Sequence, residues 1–349
     1  MIHTLQSLRF IFIMLVVLSH YIGSSFDFGG ECGVSFFFML SGFVLSLAYS
    51  ERISKGLFST KPFCVKQWIK IYPLHIITFI IMFALDLRLE KYCEPEAAIA
   101  NLLLLQSWVP ADSFYFVANS PSWFLCDIMF FYVVFSSLNK LILRVDNIRL
   151  YSISLFVFLL YICLMVVLPS SLVNPVLYAN PLTRLLDFII GIILFKLYIS
   201  DKGIALKDKL VKKSSFVVSS MEFSLILLIV VTAIVYPHLQ LRVRTVFIFW
   251  LSIPLTIFFF ALSDQSKGVV SRFLQGKTML WLGNISFCLY IIHAPVLRIF
   301  NSISVQVGIS DLTTIHFILF TTILILFSHL TNKFNMAFLS KIRNTNFFK

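Results

Sequence analysis

The sequence predicts an all-α fold, a polytopic bundle of about ten transmembrane helices forming a single integral-membrane domain over residues 1–349. Three observations carry this expectation. Polar surface is scarce: of 349 residues, 59% are hydrophobic and 13% charged, too few for a soluble chain of this size to cover itself. The apolar runs are long, about 20 residues each, rich in Leu, Ile and Phe and without the alternation of barrel strands. The basic residues sort to alternate loops, as in a chain that crosses a membrane repeatedly. Hydrocarbon offers the backbone no partners, so such runs satisfy their own N–H and C=O groups as helices.

In chain order the runs lie near residues 5–24, 33–50, 69–88, 121–142, 149–168, 182–199, 216–236, 244–262, 280–299 and 312–331. The stretch 99–109 is too short to cross and reads as an interfacial or re-entrant helix. With the N-terminus inside, 21 of the 28 basic residues fall in loops or tail on the cytoplasmic side, among them Lys66, Lys70, Lys202, Lys213, Arg343 and Lys349. Arg88, Lys91, Arg184, Arg242, Arg244 and Arg298 fall on or near the other side. This bias predicts an N-in, C-in orientation. It also accounts for the net charge of +12 without nucleic acid, because the cations are scattered among loops. The first run has an internal Arg and no small-residue cleavage site, so it reads as a span and not as a removable signal peptide. The six Cys, at 32, 64, 93, 126, 163 and 288, lack metal-ligand spacing and read as packing residues, with no metal expected.

The first run, LQSLRFIFIMLVVLSHYIG, is unusual in holding Arg9 and His20. Eleven residues at 100° each bring the two side chains to within about 20° of one face, roughly 16 Å apart along the axis. Arg at membrane depth normally faces a polar interior and marks a functional site. The alternative is an Arg snorkelling to one interface and a His reaching the headgroups of the other. In the next run, GGECGVSFFFMLSGFVLS, the pair Gly29-Gly30 marks a turn. There Gly33, Ser41 and Gly42 permit close helix approach, and the Phe residues read as lipid-facing bulk. In FCVKQWIKIYPLH, Lys66 and Lys70 lie one turn apart on one face, with Pro73 expected in the opening turn of the helix. A cationic pair there suits a phosphate-bearing ligand or plain positive-inside anchoring.

Taken together, Arg9, ten residues and His20, then GVSFFFMLSGF, then a basic pair before IYP, resemble the membrane-bound acyltransferase-3 family. SPSWFLCDIMFFY (120–132), TRLLDFIIG (183–191) and LGNISFCLYIIHAPV (282–296) resemble its later motifs, in order, over nearly the whole chain. The resemblance implies transfer of an acyl group, usually acetyl, from a coenzyme A donor to hydroxyls of cell-surface glycans. The chain departs from the family pattern in two places. Lys66, Gln67 and Lys70 stand where members usually place two Arg, which loses the bidentate guanidinium fork. Ile128 stands where many members carry Glu, and Asp127 beside it points about 100° away.

Three further groups stand out. Arg184, Asp187, Phe188 and Gly191 share one helical face, where Arg184 and Asp187 form either a structural ion pair or a substrate contact. Ser286, Tyr290 and His293 share another, with His293 read as hydrogen-bonded and structural before catalytic. Trp123 opens its run at an interface, where aromatic belts are ordinary.

The expected function is therefore that of an O-acyltransferase of the bacterial inner membrane. Acetyl-CoA is the donor substrate, no cofactor is permanently bound, and the partners are membrane lipid and a glycan or lipid-linked glycan such as O-antigen, capsule or exopolysaccharide. Arg9, Lys66 and Lys70 would bind donor phosphate. His20 would act as general base or transient acyl carrier, with its imidazole oriented by Asp27 or Glu31. Ser35, Trp123, Arg184, Asp187, Tyr290 and His293 would support the site or face the acceptor. Two alternatives remain at this level. One is a secondary transporter with an Arg/His/Asp relay, which should show inverted repeats and shows none. The other is the same chemistry on a lipid, peptide or small molecule.

Overall fold

Each apolar run is helical, and among the described residues there is no strand. The computed structural model describes residues 1–23, 26–91, 93–245, 247–308 and 313–343; the expected tail cation Lys349 and the start of the 312–331 run lie outside the described residues. The helices are α1 (His3–Ile22), α2 (Asp27–Ser54), α3 (Thr60–Arg88), α4 (Pro95–Leu102), α5 (Asp112–Tyr115), α6 (Trp123–Arg144), α7 (Asn147–Val167) and α8 (Pro181–Ile199). They continue as α9 (Asp201–Lys212), α10 (Ser215–Val235), α11 (Leu241–Arg244), α12 (Phe249–Leu262), α13 (Val269–Leu274), α14 (Lys277–Asn284), α15 (Ser286–Gln306) and α16 (Thr314–Arg343). Nine helical stretches among the described residues are long and apolar enough to cross a membrane, with α11 and α12 forming one of them. The tenth expected span is α8, whose 19 residues carry Arg184, Asp187 and Lys196. The molecule is a polytopic transmembrane helix bundle.

Lipid tails are as apolar as Leu, so helices in a bilayer associate through close packing and polar contacts rather than through expulsion of water. The α2–α8 crossing shows the packing term. A Cβ on Gly191 would lie 1.9 Å from the Met39 carbonyl oxygen, and one on Gly42 would lie 2.1 Å from that of Phe188. Neither position tolerates a side chain without moving a helix. The polar term appears at helix ends, where backbone groups lack intrahelical partners. The Lys196 ammonium donates to the carbonyls of Ile142 and Val145 at the end of α6. The Arg242 guanidinium donates to those of Met165 and Val166 at the end of α7. At the start of α13, the buried Glu222 carboxylate accepts from the amides of Val270 and Ser271. Cations at C-termini and an anion at an N-terminus match the sign of the helix dipole.

Several expectations are corrected. Gly29 and Gly30 lie inside α2 and form no turn; a Cβ on Gly29 would lie 2.3 Å from the Leu15 carbonyl oxygen, so α1 packs there. Phe36 and Phe38 are fully buried and not lipid-facing, because α2 is a central helix; they stack on Phe12 and Phe124. Pro73 is interior to α3, which begins 13 residues earlier at Thr60. The 280–299 run is broken at Ile285 into α14 and α15, and α15 continues to Gln306. The 99–109 stretch is the end of α4 followed by a short 3-10 turn at Gln106–Trp108. It is fastened by Asn101 Nδ2 donating to Ser122 Oγ and Ser107 Oγ donating to the Trp123 carbonyl.

Candidate active site

Helix α1 is held rigidly at its start. Thr4 donates from its amide to Asp264 Oδ1 (2.8 Å) and from its hydroxyl to the Phe260 carbonyl (2.6 Å), while Ser7 donates to the Leu274 carbonyl. These contacts fix the rotation of α1 against α12 and α13, and with it the direction of Arg9 and His20. Gly33 of α2 lets the partner helix approach, since a Cβ there would lie 2.4 Å from Val16 Cγ2.

Arg9 and His20 open onto different cavities. Arg9 lines a cavity of about 310 Å³ together with Gln6, Ser41, Tyr49, Gln67, Lys70 and Tyr132. Arg9 Nε is buried without a hydrogen-bond partner, and among the described residues Arg9 joins no ion pair. Of the two cations expected here, Lys70 lines this cavity and Lys66 does not. His20 lines a second cavity of about 410 Å³, with Asp27, Glu31, Trp123, Asn174, Tyr178, Arg244 and Tyr290. Between them lies a narrow chamber of about 90 Å³. Arg9, Phe37, Ser41 and Tyr132 are walls it shares with the Arg9 cavity, and Tyr290 is a wall it shares with the His20 cavity. The three spaces therefore follow one another along α1.

The His20 ring is held in one tautomer. Its Nδ1 lies 2.9 Å from the Val16 carbonyl oxygen, which can only accept. Nδ1 is thus the protonated nitrogen, and Nε2 keeps a free lone pair. Neither Asp27 nor Glu31 orients the imidazole, contrary to expectation, because a backbone carbonyl one turn back already does so. His293 repeats the arrangement: its Nδ1 donates to the Tyr290 carbonyl, while Nε2 is buried without a partner. The two imidazoles meet edge to face with ring centroids 4.8 Å apart. His293 is thus hydrogen-bonded, as expected, and also stands directly beside His20.

The remaining expected residues divide into two sets. Trp123, Tyr290 and Glu31 line the His20 cavity. Trp123 is buried and so belongs to no interfacial belt; its ring lies 4.8 Å from that of Tyr178. The Tyr290 hydroxyl donates to the Pro121 carbonyl, which fixes the ring between chamber and cavity. Ser35, Arg184 and Asp187 line none of the three spaces. Arg184 and Asp187 pair at 2.8 Å with both side chains 0% exposed. Arg184 also donates to Ser35 Oγ and is flanked by the Phe38 and Tyr178 rings, and Asp187 accepts from Trp250 Nε1 at 2.7 Å. Ile128 lines the chamber; Asp127 is fully buried elsewhere, with neither carboxylate oxygen hydrogen-bonded.

Sequence reasoning missed Arg244, Tyr178, Tyr132 and Gln67 as cavity walls. Arg244 carried one usable signal, a cation on the side that the charge bias leaves poor in cations.

A family profile described as an acyltransferase domain matches residues 2–331. The chain is 26% identical over 286 residues to Acyltransferase MdmB of Streptomyces mycarofaciens, covering 77% of this chain and 68% of that protein. No solved structure matches.

Proposed function

Because the chain belongs to the acyltransferase-3 family and is a membrane acyltransferase, we propose that it moves an acetyl group from acetyl-CoA, bound from the cytoplasmic side, to a hydroxyl of a glycan on the other side. The observation that carries this reading is the series of three spaces along α1, from Arg9 and Lys70 to His20. A coenzyme A donor has phosphates at one end and a thioester at the end of a thin pantetheine arm. The Arg9 cavity offers cations to the phosphates, the narrow chamber suits the arm, and the thioester would then reach His20. His20 Nε2 takes the proton of the acceptor hydroxyl as general base. The hydroxyl oxygen attacks the thioester carbonyl, the carbon–sulfur bond breaks, and the coenzyme A thiolate leaves with the proton carried by His20. His293, pressed against His20, keeps the ring from turning away.

Mass spectrometry of surface glycans from cells with and without the gene tests donor and acceptor class together. A difference of one acetyl group is expected, and identical spectra would count against a glycan acceptor. The orientation is tested by thiol labelling of single Cys substitutions at Lys202 and Lys213, on the loop expected to be cytoplasmic. Labelling from outside intact cells would reverse the donor-in, acceptor-out scheme.

A further inference from the structure

The His20 cavity has a wall that the transfer chemistry does not use. Glu31 projects from α2 and Arg244 from α11, and both line the cavity. Glu31 Oε2 and Arg244 Nε are each buried without a hydrogen-bond partner, and among the described residues neither side chain joins an ion pair. The Arg244 guanidinium rests over the Tyr236 ring at 5.3 Å, which holds it at the wall instead of in solvent. Trp123 and Tyr178 form an aromatic shelf in the same cavity, with ring centroids 4.8 Å apart.

We propose that Glu31 and Arg244 are the acceptor-binding residues and that they select a neutral, polyhydroxylated ring. This rests on the acyl-transfer reading above. A buried polar atom without a partner is costly to keep, and at a cavity wall it is accounted for by a ligand that partners it. A carboxylate only accepts hydrogen bonds and a guanidinium only donates them. One ligand face must therefore offer both hydroxyl donors and oxygen acceptors while a further hydroxyl reaches His20. A sugar ring does this, and its C–H face fits the Trp123–Tyr178 shelf. An aliphatic alcohol has one hydroxyl, which His20 takes, and leaves Glu31 Oε2 and Arg244 Nε without a hydrogen bond. An acidic sugar would set its carboxylate against Asp27 and Glu31 with Arg244 alone to offset them, so the subsite favours neutral rings.

The test uses the purified full chain and follows coenzyme A release from acetyl-CoA by chromatography. Methyl α-D-glucopyranoside is the acceptor probe, cyclohexanol the one-hydroxyl ring of equal size, and methyl glucuronide the acidic probe. The glucoside is expected to accelerate release well beyond either of the others. Glu31→Gln and Arg244→Gln should each raise the glucoside KM by about tenfold or more, the loss expected for a hydrogen bond to a charged group. The acetyl-CoA KM and the melting temperature should stay unchanged, which a fold defect would not allow, and Arg244→Lys should recover part of the loss. Cyclohexanol or the glucuronide matching the glucoside would overturn the selection. Loss of kcat or of thermal stability with the glucoside KM unmoved would overturn the binding role. Absence of any coenzyme A release from wild type would instead sink the acyl-transfer reading on which this rests.

Discussion

Helix α8 carries Arg184 and Asp187, helix α1 carries Arg9 and His20, and the two helices treat these groups in opposite ways. On α8 the charges face each other at 2.8 Å, with Ser35, Trp250 and two aromatic rings closing around them; neither lines any of the three spaces, although Arg184 Nε and Nη1 are buried without a hydrogen-bond partner. On α1, among the described residues, neither group has a side-chain partner in hydrogen-bond or ion-pair range, and each opens onto a cavity. Both helices violate the rule that spans are apolar, and by sequence the two violations look alike. A charge in a span marks a functional site when it opens onto a cavity without a counter-ion, and a packing device when the protein itself supplies the counter-ion.

The largest expected effect falls on catalysis. His20→Ala should lower acyl transfer by about 10²–10⁴-fold, the usual contribution of a positioned base. The protein should still accumulate and melt close to wild type, because the His20 ring makes its hydrogen bond within its own helix, to the Val16 carbonyl, and meets α15 only through the His293 edge. Transfer rate and thermal melting, measured on one preparation, check this. A variant that fails to accumulate would place His20 with the α8 pair.

Next comes the pair itself. Arg184→Met leaves the Asp187 carboxylate buried without its counter-ion, and removing one partner of such a pair costs about 3–5 kcal/mol. The double variant Arg184→Met/Asp187→Leu should recover most of the melting temperature and retain transfer activity. Recovery of folding with activity still absent would show that the pair meets substrate, and the contrast between the helices would collapse.

How much of this was legible follows from the same contrast. Spacing placed Arg9 and His20 on one face, and Arg184 and Asp187 within one turn, because helical geometry is local. Of the six cations that charge bias put on or near the cation-poor side, three are Arg242, Arg244 and Arg298. The structure gives each a setting: the α7 carbonyls, the His20 cavity, and an ion pair with Asp86 at 2.7 Å. What the sequence hid depends on which helix is central. The Phe36–Phe38 run reads as lipid-facing until α2 is seen to be surrounded, and the Tyr178 wall comes from a single π-helical turn between spans, too short for periodicity to report. Asp127 is fully buried in α6 and lines none of the three spaces.

A smaller effect is expected at Arg9. Arg9→Ala should weaken acetyl-CoA binding by about 1.5–3 kcal/mol, the range for a hydrogen bond to a charged group. Arg9→Lys should keep part of that affinity, since charge survives while the planar fork is lost. Calorimetric titration of purified variants checks both. His20→Ala should bind the donor as wild type does; if it loses donor affinity as fully as Arg9→Ala, the two ends of α1 do not divide the work.

The smallest expected effect separates two lysines that the sequence treats as equal. Lys66 and Lys70 lie one turn apart on α3, and a basic pair before IYP is all that the chain order offers. Both side chains are exposed, but Lys70 lines the Arg9 cavity beside Gln67 and Tyr132, whereas Lys66 lines none of the three spaces. A solvated charge at a distance from an anion is screened by salt, and its contribution is about 0–1 kcal/mol. Lys70→Ala should therefore weaken acetyl-CoA binding by a measurable factor at 0.15 M salt, about the ionic strength inside cells. Lys66→Ala should matter only at low ionic strength and fade as salt is added. Repeating the titration across salt concentrations distinguishes the two, because a contact inside a cavity is screened much less than an exposed one. Equal, salt-sensitive losses for both lysines would mean that donor phosphate is steered by the general positive charge of that face, and Arg9 would then be the one specific cation at its end of α1.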